Sequence, residues 1–234
     1  MKKIFFLFFI LVCFSFIYSS KVDNTITKED IKYINKFLID GNIDKYNNIN
    51  QLNAELQINV IEKVQDIVLK TSPNLKSLPL CTLREPKQIY YSKNSSCSER
   101  SRVIEKILRY IGFKTRHITL YKSTGLSFEF LALLRPNQPS HAVVEVYTKY
   151  GWIVVGSNYR WIARNNKKYL SISEINAVND LNKPINWKVS PQENILDKQF
   201  IYIYGLYSRH GKFYPPYNFI PDINYSDFMY NFID

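Results

Sequence analysis

Cys97 opens the stretch Cys-Ser-Glu-Arg-Ser-Arg-Val-Ile-Glu-Lys-Ile-Leu-Arg-Tyr-Ile-Gly. Val103, Ile104, Ile107, Leu108 and Ile111 recur there at helical spacing, so the thiol stands on the first turn of an amphipathic helix. A thiol is a poor nucleophile at neutral pH until its pKa falls. A helix N-terminus and a neighbouring imidazolium both favour the thiolate. His141 begins the strand-like run His-Ala-Val-Val-Glu-Val-Tyr. Brought against Cys97, it would accept the thiol proton and later return it to a leaving group. A third side chain commonly orients such an imidazole through its other ring nitrogen.

The elements that must position this pair follow from the periodicity. Ser95 and Ser96 can cap the Cys97 helix, and Gly112 ends it. After Gly112 the apolar residues alternate, which predicts strands near 116–121, 127–134, 141–148 and 152–155, with another over 199–207. Tyr150-Gly151 is a tight turn, so the strands on either side of it pair antiparallel. A short helix is expected over 171–178. Pro73, Pro79 and Pro86 make the segment from Pro73 to Tyr91 mostly irregular. Upstream, Thr27 caps a helix bearing Ile31, Ile34, Phe37 and Leu38. A second helix carries Leu52, Leu56, Val60, Val64, Ile67 and Val68, so the two are expected to form a helical hairpin over the region 21–72 that packs on the main domain.

Cys97, Arg109, Gly112 and Arg116, then His141-Ala142-Val143-Val144-Glu145, then Gly151-Trp152-Ile153-Val154-Val155, resemble the transglutaminase-like superfamily. The resemblance spans roughly residues 90–160. It implies an α+β, papain-like core, with the cysteine helix packed on an antiparallel sheet, and acyl transfer or amide hydrolysis through a thioester. The chain departs from the pattern at one position. The family's aspartate falls four residues after the tryptophan, and here that residue is Gly156. Asn158 lies two residues on, on the same face of an extended strand, and is the candidate for orienting His141. The expected catalytic set is therefore Cys97, His141 and Asn158.

Each of these residues has a plainer reading. Cys97 and Cys81 can form a disulfide, since two cysteines remain once a leader carrying Cys13 is removed. His141 and His117 can be strand histidines satisfied by backbone. Glu145 shares a face with His141 and is a candidate ion-pair partner for Arg116. Arg209, His210 and Tyr214 sit in an aromatic C-terminal segment. That segment either wraps the domain or contacts a substrate carboxylate or sugar.

Met1-Lys2-Lys3 followed by an apolar run from Ile4 to Ile17 and Tyr18-Ser19-Ser20 reads as a signal peptide over residues 1–20. The expected location is secreted or periplasmic, and an uncleaved membrane anchor is the alternative. The formal charge is +11, carried by dispersed basic residues, and no nucleic-acid motif accompanies it. The three cysteines and three histidines lack paired ligand spacing, and no glycine-rich phosphate loop occurs, so neither metal nor cofactor is expected. Residues 73–234 are expected to form the main domain. It is read as a cysteine hydrolase or acyltransferase whose partner is a protein or peptide substrate, with an envelope polymer as a further candidate. The competing reading is an inactive binding module of the same fold for envelope polysaccharide or peptide.

Overall fold

The apolar stripe that begins after Cys97 becomes the central helix of the molecule. The computed structural model describes residues 2–46, 48–123, 138–166, 168–209 and 221–233. Helix α1 (Lys2–Ser20) is followed by α2 (Lys28–Asp40), α3 (Ala54–Thr71), α4 (Pro86–Tyr91) and the cysteine helix α5 (Cys97–Tyr110). Strands β1 (Lys114–Lys122), β2 (Ser140–Thr148) and β3 (Gly151–Val155) come next. Helix α6 (Ile172–Asp180), β4 (Phe200–Tyr204), β5 (Leu206–Tyr207), β6 (Asp222–Ile223) and the short helices α7 (Tyr225–Phe228) and α8 (Tyr230–Ile233) complete the order. The expected strand over 127–134 lies outside the described residues.

The main sheet is antiparallel in the order β3-β2-β1-β4. Both faces are covered. On one face Val144, Val146, Ile153 and Val155 pack with Val103, Ile104, Ile107 and Leu108 of α5. The same core takes in Ile34 and Phe37 of α2 and Val60, Ile61 and Val64 of α3. The N-terminal helices thus share the core of the sheet. On the other face Ile118, Leu120, Val143 and Val154 meet Trp161, Leu170, Ile172 and Ile175.

Local chemistry sets the boundaries. Thr27 and Asp30 form a reciprocal capping box on α2, and the Asn53 side chain caps α3. The Glu99 carboxylate accepts the backbone N–H of Ser96, which fixes the first turn of α5. Helix α4 arises in a segment that its prolines mark as irregular. Pro86 occupies the first helical position, where a missing N–H costs nothing. The expected continuous strand over 199–207 breaks at Gly205, whose φ of 72° splits it into β4 and β5.

The polar flank of α5 is buried too, and charge pairs hold it. Glu99 pairs with Arg84 at 2.8 Å. Glu85 takes Arg102 at 3.1 Å and Lys106 at 2.7 Å, and Asp30 takes Lys106 at 2.8 Å. Glu105 takes Arg109 at 2.6 Å and accepts the Tyr207 hydroxyl at 2.8 Å. Such pairs fix the helix's rotation and register more than they add stability, because desolvation offsets much of the attraction.

Candidate active site

Three elements converge at the N-terminus of α5. The backbone N–H groups of Ala142 and Ser98 lie near the Cys97 sulfur and favour its thiolate form. Ala142 follows His141 directly, so the start of β2, which carries His141, lies beside the first turn of α5. Strand β3 ends at Val155, level with Val144, which leaves room beside the start of β2 for the cysteine. The Ser157 hydroxyl donates to the Ala142 carbonyl and ties the chain leaving β3 to the same spot. Cys97 is free and half-buried as a residue, and Cys13 and Cys81 are free as well. The Cys81–Cys97 bridge is therefore not formed.

Burial dominates the electrostatics. It pushes the Cys97 thiol above its usual range, and the Ala142 and Ser98 N–H groups only partly offset this. Glu193 and Glu99 push it further in the same direction. Burial pulls His141 down to about 4. The resting pair is thus neutral at pH 7, where the helix N-terminus alone would favour a thiolate. Desolvation outweighs the helix dipole because the sulfur and the imidazole both sit away from water. Arg100, one turn along α5, is 1% exposed. Its hydrogen bonds go to neutral oxygens: the Ser72 carbonyl at 2.6 Å, Ser95 Oγ at 2.7 Å and the Asn158 carbonyl at 3.5 Å. Its charge favours the anionic form of Cys97.

The Asn158 side chain makes no hydrogen bond to His141. Asn158 Oδ1 is buried without a hydrogen-bond partner, and only its backbone carbonyl is engaged. The strand alternation that would aim Asn158 at His141 stops at Val155. Beyond it the chain turns back, and the Gly156 N–H donates to the Trp161 carbonyl at 3.0 Å. Gln65 on α3 fastens this turn, donating to the carbonyls of Gly156 and Trp161, each at 2.8 Å. The group beside His141 is Glu193, with Oε1 3.4 Å from Nε2. Sequence periodicity does not reveal Glu193, which lies in an irregular stretch before a single 3-10 turn (Asn194–Asp197).

The remaining candidates separate from this cluster. Arg209 pairs with Glu85 at 3.4 Å, and its backbone N–H donates to Asp222 at 2.9 Å. His210 and Tyr214 lie outside the described residues. His117 is fully buried, stacked on Tyr207 with ring centroids 4.0 Å apart. Glu145 pairs with Arg116 at 2.7 Å, in the register that sets the two residues opposite each other on β2 and β1. Its other oxygen accepts the Ile172 N–H at the start of α6. Among the described residues no cluster of acidic, histidine or cysteine side chains could hold a metal ion.

Comparison with known proteins agrees with this geometry. Residues 49–157 match the family model of the transglutaminase-like superfamily, a span that takes in α3, Cys97, His141 and the end of β3. No curated protein sequence matches the chain. One similar solved structure is that of a proposed protease from Parabacteroides distasonis. It has a TM-score of 0.33 at 12% identity and covers 55% of this chain and 26% of that one. Another is Rad4–Rad23 bound to a 6-4 photoproduct UV lesion. It has a TM-score of 0.35 at 10% identity and covers 63% of this chain and 38% of that one. The chain thus spans about a quarter to two-fifths of those structures, and likeness at this level says nothing of activity. The family match and the architecture agree: residues 49–157 are similar to the transglutaminase-like superfamily, and the fold is α+β, with the cysteine helix packed on an antiparallel sheet.

Proposed function

We propose that the protein is an exported cysteine enzyme that acts on amide or peptide bonds through a thioester. The observation that carries this reading is the Cys97 thiol on the first turn of α5 beside the Ala142 N–H, one residue along β2 from a buried, neutral His141. A neutral imidazole is the form that can accept a proton. As Sγ attacks the carbonyl, His141 takes the thiol proton, and the carbonyl electrons move to oxygen. Collapse of the tetrahedral adduct expels the amine, which leaves with the proton from His141. Water or a second amine then attacks the thioester and releases the thiol. The helix ladder does not use the N–H of Cys97 on the first turn, so that group is available to the developing oxyanion.

Helix α1 supports export. Phe5, Phe6, Leu7, Phe8 and Phe9 along it are exposed, and firm attachment to the domain begins at Ser20, whose hydroxyl lies 2.6 Å from that of Tyr225. Val22 is buried, and its N–H donates to the Ile223 carbonyl at 2.7 Å. An apolar helix without a covering partner suits a leader or an anchor. Among the described residues, no helix is long and apolar enough to cross a membrane.

A non-catalytic binding module is the second reading, and the neutral resting pair together with Gly156 favours it. Substitution of Cys97 by Ala separates the two. Incubating the protein with mixed peptides and following new amines and new isopeptide links by mass spectrometry should show turnover that the variant lacks. Equal turnover in Cys97→Ala would refute the enzyme reading.

A further inference from the structure

We propose that Glu193 is the carboxylate that positions His141, held there by the Trp161 indole in space that a side chain at residue 156 would otherwise fill. This assignment rests on the reading of Cys97 and His141 as nucleophile and base. Three independent contacts define the arrangement. Glu193 Oε1 lies 3.4 Å from His141 Nε2, and each atom is buried without a hydrogen-bond partner. Two orphaned polar atoms facing each other are costly unless they pair in some state of the protein. The other carboxylate oxygen, Oε2, accepts the indole N–H of Trp161 at 2.9 Å, which fixes the carboxylate's rotation. The indole can sit there because residue 156 is glycine. A Cβ on Gly156 would lie 2.5 Å from Trp161 Nε1 and 2.6 Å from Cε2. The position at which the family pattern carries an aspartate is thus filled by a ring that presents a glutamate from elsewhere in the chain.

The backbone that carries Glu193 is anchored as well. Leu196 is fully buried, and its carbonyl accepts Asn179 Nδ2 from α6 at 3.0 Å. The Leu196 N–H donates to the Glu193 carbonyl at 3.1 Å. With Nε2 facing Glu193, Nδ1 is the ring nitrogen left for the thiol proton. When His141 takes that proton, both ring nitrogens carry hydrogen, and the Nε2–H gains an anionic acceptor. Glu193 exchanges no proton in this step. It selects the tautomer before the reaction and stabilises the imidazolium during it. Glu193 remains ionised at neutral pH, since burial, partly offset by the Trp161 N–H, raises it only to about 6.

The test uses the full chain and a generic acyl donor, p-nitrophenyl acetate, with nitrogen NMR of His141. In the wild type, His141 should hold its proton on Nε2, and Cys97 should be acetylated. Glu193→Leu removes both acceptor and charge. It should leave a mixture of tautomers and slow acetylation of Cys97 by roughly 10- to 100-fold, with little change in the donor concentration for half-saturation. Glu193→Gln keeps an acceptor oxygen without the charge. It should retain the tautomer with an intermediate rate, and it covers the case in which the leucine variant does not fold. A merely structural glutamate, serving only Trp161, would change stability but not the His141 tautomer. An unchanged tautomer and rate in a folded Glu193→Leu or Glu193→Gln protein would overturn the assignment. If wild-type Cys97 is not acetylated while Glu193→Leu still shifts the tautomer, the cysteine-enzyme reading fails and the Glu193–His141 pairing stands.

Discussion

Gly156→Ala should be among the most damaging single-methyl additions to this protein, and the cause is one indole ring. The added Cβ would lie 2.5 Å, 2.6 Å and 2.9 Å from Nε1, Cε2 and Cδ1 of Trp161. Trp161 is 2% exposed, so the ring has no open space to enter. Restoring ordinary contact requires a displacement of about 1 Å, and forced repacking of this kind costs ~1–3 kcal/mol. The same movement breaks the 2.9 Å bond from the indole N–H to Glu193. A lost hydrogen bond to a charged group adds ~1.5–3 kcal/mol. The combined loss of ~2.5–6 kcal/mol is a large share of a typical folding stability. Trp161→Leu should cost ~3 kcal/mol on its own through the cavity it opens. In that background the alanine has room, and Gly156→Ala should become nearly neutral. Urea unfolding of the four proteins measures the cycle, provided the denaturant slope stays constant. If Gly156→Ala is tolerated, or costs the same in the Trp161→Leu background as in the wild type, the steric account of this glycine is wrong.

Other outcomes follow from the buried charges. Arg116→Lys should destabilise by about 1.5–3 kcal/mol, measured by urea unfolding, because an ammonium cannot reproduce the guanidinium's bonds to both Glu145 and the Tyr204 hydroxyl. The guanidinium lies between the rings of Trp152 and Tyr204, 4.2 Å and 4.1 Å from their centroids, which an ammonium would not fill. Burial, with Arg102 and Arg109 adding to it, holds His117 down to about 3, well below the unfolded value of 6.5. The unfolded chain therefore binds the proton first, and His117 destabilises the fold as pH drops below 6.5. Between about pH 6.5 and 4.5 the loss is about 2–3 kcal/mol, and His117→Phe should flatten that part of the stability profile. Asp227 has the opposite sign. Burial and the Glu105 charge raise it to about 7, so its contribution favours the fold at low pH and is lost as pH rises from about 4 to 7. Asp227→Asn should raise the urea midpoint at pH 8 relative to wild type, and an unchanged midpoint would contradict the shift.

The sheet and the cysteine helix are legible in the sequence because their signals are periodic. Val103, Ile104, Ile107 and Leu108 point to one buried face, and all four are fully buried. The alternation in β2 places Glu145 opposite Arg116, and the two residues pair. Asn158 is misplaced when alternation is carried past Val155, where the backbone leaves the strand and bonds back to Trp161. Glu193 is not legible at all, since it comes from an irregular stretch that reaches the site only through tertiary packing. The direction of the Cys97 shift also escapes the sequence. A helix N-terminus is visible in residue order, whereas the burial that outweighs it belongs to the folded chain. The N-terminal helices read as a hairpin that packs on the main domain. Their apolar stripes lie in the same core as α5.

The most direct test of the cysteine-enzyme account is the position and rate of acetylation by p-nitrophenyl acetate near neutral pH, mapped by peptide mass in wild type and His141→Gln. Acetyl should appear on Cys97, although Cys81 is the more exposed thiol, and His141→Gln should slow it by roughly 100-fold or more. Acetyl found on Cys81 rather than Cys97, or an equal rate on Cys97 without the imidazole, would contradict a nucleophile activated by His141.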